Sequence, residues 1–238
     1  FRGKMTKSLA WANRNGFYYL LDRTNGKFLT AKAFVKQTWN NGFDDNGRPE
    51  VIPGNEPTPE GNDHTWPGVD GGANWMSHSY SPLTKWLYVF AREEHRLFSK
   101  NAVPHPTTEE PDRPLPPGAL PNAGAYDPAL GGARTAQFGA PEESWGKVIA
   151  IDPGTGTIKW EHRVLTPPWG GVMATGGNLV FGGTLEGVVF ALNATTGDRL
   201  WTFSANGPVF ASPISYLANG KQMVSIPAGD LIVTFGLD

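Results

Sequence analysis

Few residues in this sequence have both the type and the spacing that chemistry needs. The five histidines (His64, His78, His95, His105 and His162) never fall at a ligand spacing such as H-x-x-x-H, so no metal site is expected from them. Asp44-Asp45-Asn46-Gly47 begins like a calcium loop, but Arg48 stands where the next oxygen ligand belongs. The absence of cysteine removes thiolate zinc sites, Fe–S clusters, covalent c-type haem and thiol nucleophiles, and it leaves the redox compartment open. Arg92-Glu93-Glu94-His95-Arg96 reads as a solvated loop beside a strand end. Asn193-Ala194-Thr195 fits a glycosylation sequon but already serves as a turn. Arg14 in Asn13-Arg14-Asn15-Gly16, Asn74 behind Gly71-Gly72, and Trp169 ahead of Gly170-Gly171 are not singled out by spacing either. These are a planar cation, an amide and an indole, each beside glycine that lets backbone come close. Taken alone, they read as a turn arginine in a surface ion pair, an asparagine capping a turn and a core tryptophan.

The elements that must position them are strands. Over 238 residues, glycine (30) and proline (21) make up about a fifth, and nine Trp, six Tyr and thirteen Phe supply apolar surface that needs burial. Apolar residues alternate with period 2 and no stretch sustains a 3.6-residue stripe, so the chain reads as all-β. Strands are expected at 8–12, 17–22, 86–91, 146–152, 179–182, 187–193, 209–216, 222–226 and 231–235. Six Asn-Gly pairs, a dipeptide that tolerates positive φ at both central positions of a tight turn, are the expected hairpin joints. A net charge of -2 gives no electrostatic footprint for nucleic acid, and no apolar run approaches the ~20 residues that span a bilayer.

An internal repeat sets the architecture. Ala150 to Trp160 and Ala191 to Trp201 share the form A-x-[DN]-x-x-T-G-x-x-x-W at an offset of 41 residues, and a worn copy at Gly16, Asp22 and Gly26 lacks the final Trp. The Asp or Asn side chain can accept hydrogen bonds from turn N–H groups, the Gly takes the left-handed position, and the indole packs on the neighbouring unit. A period near 40 residues built of short strands is the mark of a β-propeller blade, which buries its faces only by stacking on neighbours. Residues 38–72 and 104–121, the latter with seven Pro, are long loops expected on one rim.

This repeat, together with Asn13-Arg14-Asn15-Gly16-Phe17-Tyr18-Tyr19-Leu20-Leu21-Asp22-Arg23-Thr24-Asn25-Gly26, Gly71-Gly72-Ala73-Asn74-Trp75 and Pro168-Trp169-Gly170-Gly171-Val172, resembles the pyrroloquinoline-quinone (PQQ) dependent alcohol dehydrogenases of the methanol/ethanol dehydrogenase type. The similarity runs over essentially the whole chain. It implies that residues 1–238 are the C-terminal part, roughly the last three to four blades, of an eight-bladed propeller. The opening Phe1-Arg2-Gly3-Lys4, neither an initiator Met nor a signal peptide, agrees with that.

The resemblance also implies the chemistry. Arg14 matches the arginine aimed at the quinone carbonyls, Asn74 the asparagine whose amide reaches the cofactor's edge, and Trp169 the tryptophan that contacts it through the main chain. No residue of this chain is assigned as catalytic base or metal ligand; those, with a calcium or lanthanide ion, belong to an N-terminal half that would be its partner. The implied whole is a periplasmic oxidoreductase that takes a small alcohol to an aldehyde and passes electrons to a cytochrome c, with this chain inactive alone. Two alternatives share part of the pattern: a non-catalytic propeller scaffold of the outer-membrane assembly type, and a quinoprotein sugar or polyol dehydrogenase. Convergence of Arg14, Asn74 and Trp169 on the propeller axis at one depth separates the first of these from a dehydrogenase, since a scaffold would scatter them.

Overall fold

The computed structural model describes residues 1–56, 65–100, 133–138 and 144–236. All regular structure among them is β-strand. The first sheet holds β1 (Ser8–Ala12), β2 (Phe17–Asp22) and β3 (Phe28–Ala33), and a small hairpin follows, β4 (Asn40–Phe43) with β5 (Pro49–Val51). The second sheet orders β6 (Ser79–Ser81), β7 (Trp86–Glu93), β10 (Trp145–Asp152) and β11 (Thr157–Val164) side by side; between β7 and β10 the chain leaves to form the hairpin of β8 (Arg96–Lys100) and β9 (Ala133–Phe138). The third sheet is β12 (Met173–Ala174), β13 (Leu179–Gly183), β14 (Val188–Asn193) and β15 (Arg199–Ser204), and the fourth is β16 (Ile214–Ala218), β17 (Lys221–Ala228) and β18 (Leu231–Gly236). All pairings are antiparallel between neighbours, as in successive propeller blades.

Period-2 alternation explains the stacking. In the second sheet Val89, Ala91, Ile149 and Ile151 face the first, joining Ala12, Tyr18 and Leu20 in one core. The intervening Tyr88, Phe90, Val148 and Ala150 face the third, joining Val180, Phe190 and Leu192. A third core, of Val189, Ala205, Val209, Ile226 and Ala228, joins the last two sheets. Both faces of the central strands are therefore dry, which is why they read as nearly continuous apolar runs. The outermost surfaces leave Leu217, Leu231 and Ile232 exposed.

The repeat turns behave as their side chains dictate. Asp152 Oδ1 accepts from Gly154 N at 2.9 Å, Asn193 Oδ1 from Thr195 N at 2.8 Å and Asp22 Oδ1 from Thr24 N at 2.8 Å. Gly26, Gly156 and Gly197 close the three turns at positive φ. Each turn is followed by the same register shift, which sets Trp160 opposite Ala150 and Trp201 opposite Ala191. The Trp160 indole lies over Gly197 of the next sheet, where an added Cβ would stand 2.6 Å from the ring, and its Nε1 donates to Ala194 O at 3.0 Å. The worn copy has no Trp; there Tyr18 donates its phenol to Pro153 O, the carbonyl equivalent to that of Ala194, at 2.7 Å.

One expected strand is misplaced. Instead of 209–216, the strand begins at Ile214, after Pro213, which cannot donate to a ladder. Val209 is a fully buried loop residue whose N–H reaches Thr184 O. Of the six Asn-Gly pairs, Asn219-Gly220 alone has positive φ at both positions, in the two-residue turn between β16 and β17. The expected loop at 104–121 lies outside the described residues.

Candidate functional site

Antiparallel alternation divides the loops between two rims. The Asp22, Asp152 and Asn193 turns lie at one end of their sheets. At the other end lie the hairpins that lead into β2, β10 and β14, together with the connections from each sheet to the next. Arg14 is in the β1–β2 hairpin, Asn74 is in the connection from β3 to β6, and Trp169 is in the connection from β11 to β12. All three therefore occupy the rim opposite the repeat turns, the rim from which the 34–78 and 94–144 segments also depart.

Local hydrogen bonds present Arg14. Asn13 Oδ1 accepts from Asn15 N at 2.9 Å, Gly16 N donates to Asn13 O at 3.0 Å, and the turn leaves Arg14 exposed at its tip. Its Nε and Nη2 both donate to Val69 O, at 2.9 and 2.5 Å. The neighbouring carbonyl, Asp70 O, accepts from Asn74 Nδ2 at 3.0 Å, while Asn74 Oδ1 receives Trp75 N at 2.9 Å. Arginine and asparagine thus hang on consecutive carbonyls of one loop. Gly71, at φ +78°, lets that loop lie against the Arg14 carbonyl, where a Cβ would come within 2.3 Å, and Gly72 N donates to the same carbonyl at 2.9 Å.

The link to Trp169 runs through residues that the sequence reading placed in solvent. Arg92, Glu93, Glu94, His95 and Arg96 are all buried. Arg92 Nη1 donates to Pro168 O at 2.6 Å, and its guanidinium covers the half-buried Trp169 indole 4.2 Å from the ring centroid. Glu94 bridges Arg92 and Arg96, and both guanidinia lie near Asp70 Oδ2, at 3.7 and 3.6 Å. Glu93 pairs with Lys147 at 2.9 Å and accepts Lys36 N at 3.1 Å. Charges can be buried when each is met by an opposite one, and the two Arg and two Glu of this run balance within it and against Asp70 and Lys147. Near-neutrality of the run, without a Gly or Pro to break the strand before it, was the available signal. His95 is also interior, its ring stacked on Trp66 at 4.9 Å.

The glycines after Trp169 lie close against neighbouring protein segments. A Cβ on Gly171 would meet Ser212 Oγ at 2.1 Å and Ser77 backbone at 2.8 Å, and one on Gly170 would meet Ala211 O at 3.0 Å. The close backbone they permit is that of the neighbouring sheets' innermost segments. Val172 N donates to Ser77 O at 3.1 Å and Ala174 N to Ser79 Oγ at 2.8 Å, which seats the Trp169 segment against the second sheet.

Arg14 lines an open cavity of about 380 Å³ with Asn13, Asn15, Trp39, Val69 and Phe98 among its walls. Among the described residues its guanidinium meets no carboxylate, unlike Arg92 and Arg96. Arg14, the Asn13 and Asn15 amides and the main chain of its walls make a donor set that a flat, anionic ligand fits, while Asn74 and Trp169 do not line this cavity. Among the described residues no three His, Asp or Glu come together as a metal site. His78, just before β6, has Nε2 3.3 Å from Ala12 O of β1, and burial holds its pKa below the usual histidine range.

The sequence profile of the glucose/ethanol/alcohol dehydrogenase β-propeller domain, a PQQ domain, matches residues 53–224. The quinoprotein alcohol dehydrogenase PedH of Pseudomonas putida is 37% identical over 234 residues, covering 95% of this chain and 36% of PedH. Among solved structures, the quinohemoprotein alcohol dehydrogenase ADHIIG of Pseudomonas putida superposes with TM-score 0.78 at 30% identity, over 97% of this chain and 33% of that one. A europium-containing methanol dehydrogenase superposes with TM-score 0.77 at 26% identity, over 95% and 37%. The chain thus spans about a third of the length of these relatives. With its stacked three- and four-stranded sheets and a matching profile over most of its length, this chain belongs to the PQQ-dependent glucose/ethanol/alcohol dehydrogenase β-propeller family.

Proposed function

We propose that this chain forms one side of the quinone pocket of a PQQ-dependent dehydrogenase that oxidises a small primary alcohol to an aldehyde. Arg14, Asn74 and Trp169 would hold the cofactor. The supporting observation is that Arg14 and Asn74 hang on adjacent carbonyls of a single loop, whose Asp70 reaches the same Arg92 that covers Trp169. A non-catalytic scaffold gives no reason for that convergence.

When bound, PQQ supplies the electrophilic carbonyl that accepts hydride from the alcohol. Arg14 would contribute a permanent positive charge to stabilise the negative charge that the quinone gains, its guanidinium held in place by two bonds to Val69 O. Asn74 offers an amide whose orientation is set by its two bonds within the loop. Trp169 would close the pocket with its main chain; the segment that follows it is seated on the second sheet, and the Trp169 ring is covered by Arg92. In this reading the base, the calcium or lanthanide ligands and the remaining blades come from an N-terminal half that covers the exposed apolar surface around Leu217, Leu231 and Ile232. The chain alone would then be inactive. A cytochrome acceptor and a periplasmic location complete the proposal. The europium and haem in the names of the two superposed enzymes agree with a metal-assisted, cytochrome-coupled chemistry.

The test is made in the full-length protein prepared without cofactor. Wild type should bind PQQ with saturable quenching of tryptophan fluorescence, and Arg14→Ala should weaken binding by about tenfold or more while the thermal midpoint stays put. Equal PQQ affinity in wild type and variant would remove Arg14 from the pocket.

A further inference from the structure

We propose that Arg92 is a positioning residue that sets the spacing between the two walls of this pocket, the loop carrying Arg14 and Asn74 and the segment carrying Trp169. The inference rests on the function proposed above and adds to it a residue outside the set of three.

Arg92 is 2% exposed near the end of β7, and it touches both walls at once. Towards one wall, Nη1 donates to Pro168 O at 2.6 Å and the guanidinium plane lies 4.2 Å from the Trp169 ring centroid. Towards the other, Nη2 pairs with Glu94 and lies 3.7 Å from Asp70 Oδ2, while its main-chain N–H donates to Gly72 O at 2.8 Å. Arg96 approaches the same Asp70 oxygen at 3.6 Å and shares Glu94, so the Asp70 carboxylate is held between two guanidinia. The Val69 and Asp70 carbonyls carry Arg14 and Asn74, so a shift of Asp70 passes directly into both donors.

Arginine is suited to this by its fork. A planar guanidinium can stack on an indole and direct different N–H groups to separate acceptors, which a single ammonium cannot do with fixed angles. Among the described residues Arg92 Nε is buried without an acceptor. An apolar side chain of similar volume would fill the space without that cost, so joining the walls is what the fork adds over packing. A rigid planar ligand is sensitive to wall spacing at the level of ~0.5 Å, the range over which loss of such a link is felt.

The experiment uses the full-length protein freed of cofactor, titrated with PQQ by fluorescence quenching and by equilibrium dialysis, with thermal melts alongside. Arg92→Lys keeps the charge beside Glu94 and Asp70 but loses the fork; PQQ affinity should fall about tenfold. Asp70→Asn, at a partly exposed position, cuts the other end of the same link and serves if Arg92→Lys does not fold; about a threefold loss is expected. Because Arg92 acts through the loop that holds Arg14, Arg14→Ala combined with Arg92→Lys should weaken binding by less than the product of the single effects. A melting-point drop with PQQ affinity within twofold of wild type in both single variants would overturn the proposal, leaving Arg92 a purely structural residue. Strictly multiplicative effects would overturn it as well. Failure of the wild type to bind PQQ, or an Arg14→Ala variant that binds as wild type, would instead overturn the parent reading.

Discussion

The two rims of this propeller segment are built by different physics. At the repeat-turn rim, Asp22, Asp152 and Asn193 each bond to an N–H two residues away, and a Gly four residues on closes the turn. At the opposite rim the decisive contacts join residues far apart in the chain: Arg14 to Val69, Arg92 to Pro168, and Arg92 and Arg96 to Asp70. Short-range bonds leave a pattern in sequence, whereas long-range ones leave only residues that look misplaced. Damage should differ accordingly: at the repeat-turn rim it should lower stability and spare cofactor binding, and at the other rim it should lower cofactor affinity, with stability lost as well where a buried charge is stranded.

The largest effect is expected from Glu94→Ala, which strands two buried guanidinia and should cost about 3–5 kcal/mol in denaturant unfolding together with PQQ affinity. Trp160→Ala should cost about 3 kcal/mol by the same measurement, through lost packing on Gly197 and a lost bond to Ala194 O, with PQQ affinity unchanged. If Trp160→Ala weakened PQQ binding as much as Glu94→Ala, the division between rims would fail. Gly197→Ala combines a left-handed backbone with a Cβ pressed on the indole and should cost about 2 kcal/mol. Asn193→Ala removes an acceptor from two turn N–H groups and should cost about 1 kcal/mol.

The smallest contrast is electrostatic. His78 is held neutral by burial, so its folded pKa lies below its unfolded one, and the unfolded chain binds more protons as pH falls. Its contribution is therefore fully present above about pH 6.5 and is lost on acidification below that. His78→Gln should flatten this limb of a stability-against-pH curve; an unchanged slope would assign the acid sensitivity elsewhere, for example to His162, whose pKa burial also lowers.

Legibility followed the same division. The blades, their repeat and eight of nine expected strands could be read because alternation and turn chemistry are local properties. The ninth failed at Pro213, where apolar Val209 was taken as strand although its role is to plug a core from a loop. Arg14, Asn74 and Trp169 were singled out through resemblance rather than spacing, and the structure gathers them on one rim. The buried cluster of Arg92, Glu94 and Arg96 was read as solvent-facing because a charged run carries no mark of its partners: Asp70 is over twenty residues upstream and Pro168 over seventy downstream. The Gly170-Gly171 pair was read as letting backbone come close, and the atoms nearest it are those of Ser77, Ala211 and Ser212.

The carbonyl of Ala194 receives two donors, the Trp160 indole and the Tyr88 phenol at 2.9 Å. Such a doubled latch makes either donor dispensable for keeping the joint shut, so one can drift in sequence while the other holds. The joint between the first two sheets is in that state already, closed by Tyr18 on Pro153 with no indole present. A blade can thus outlive the motif by which it is recognised.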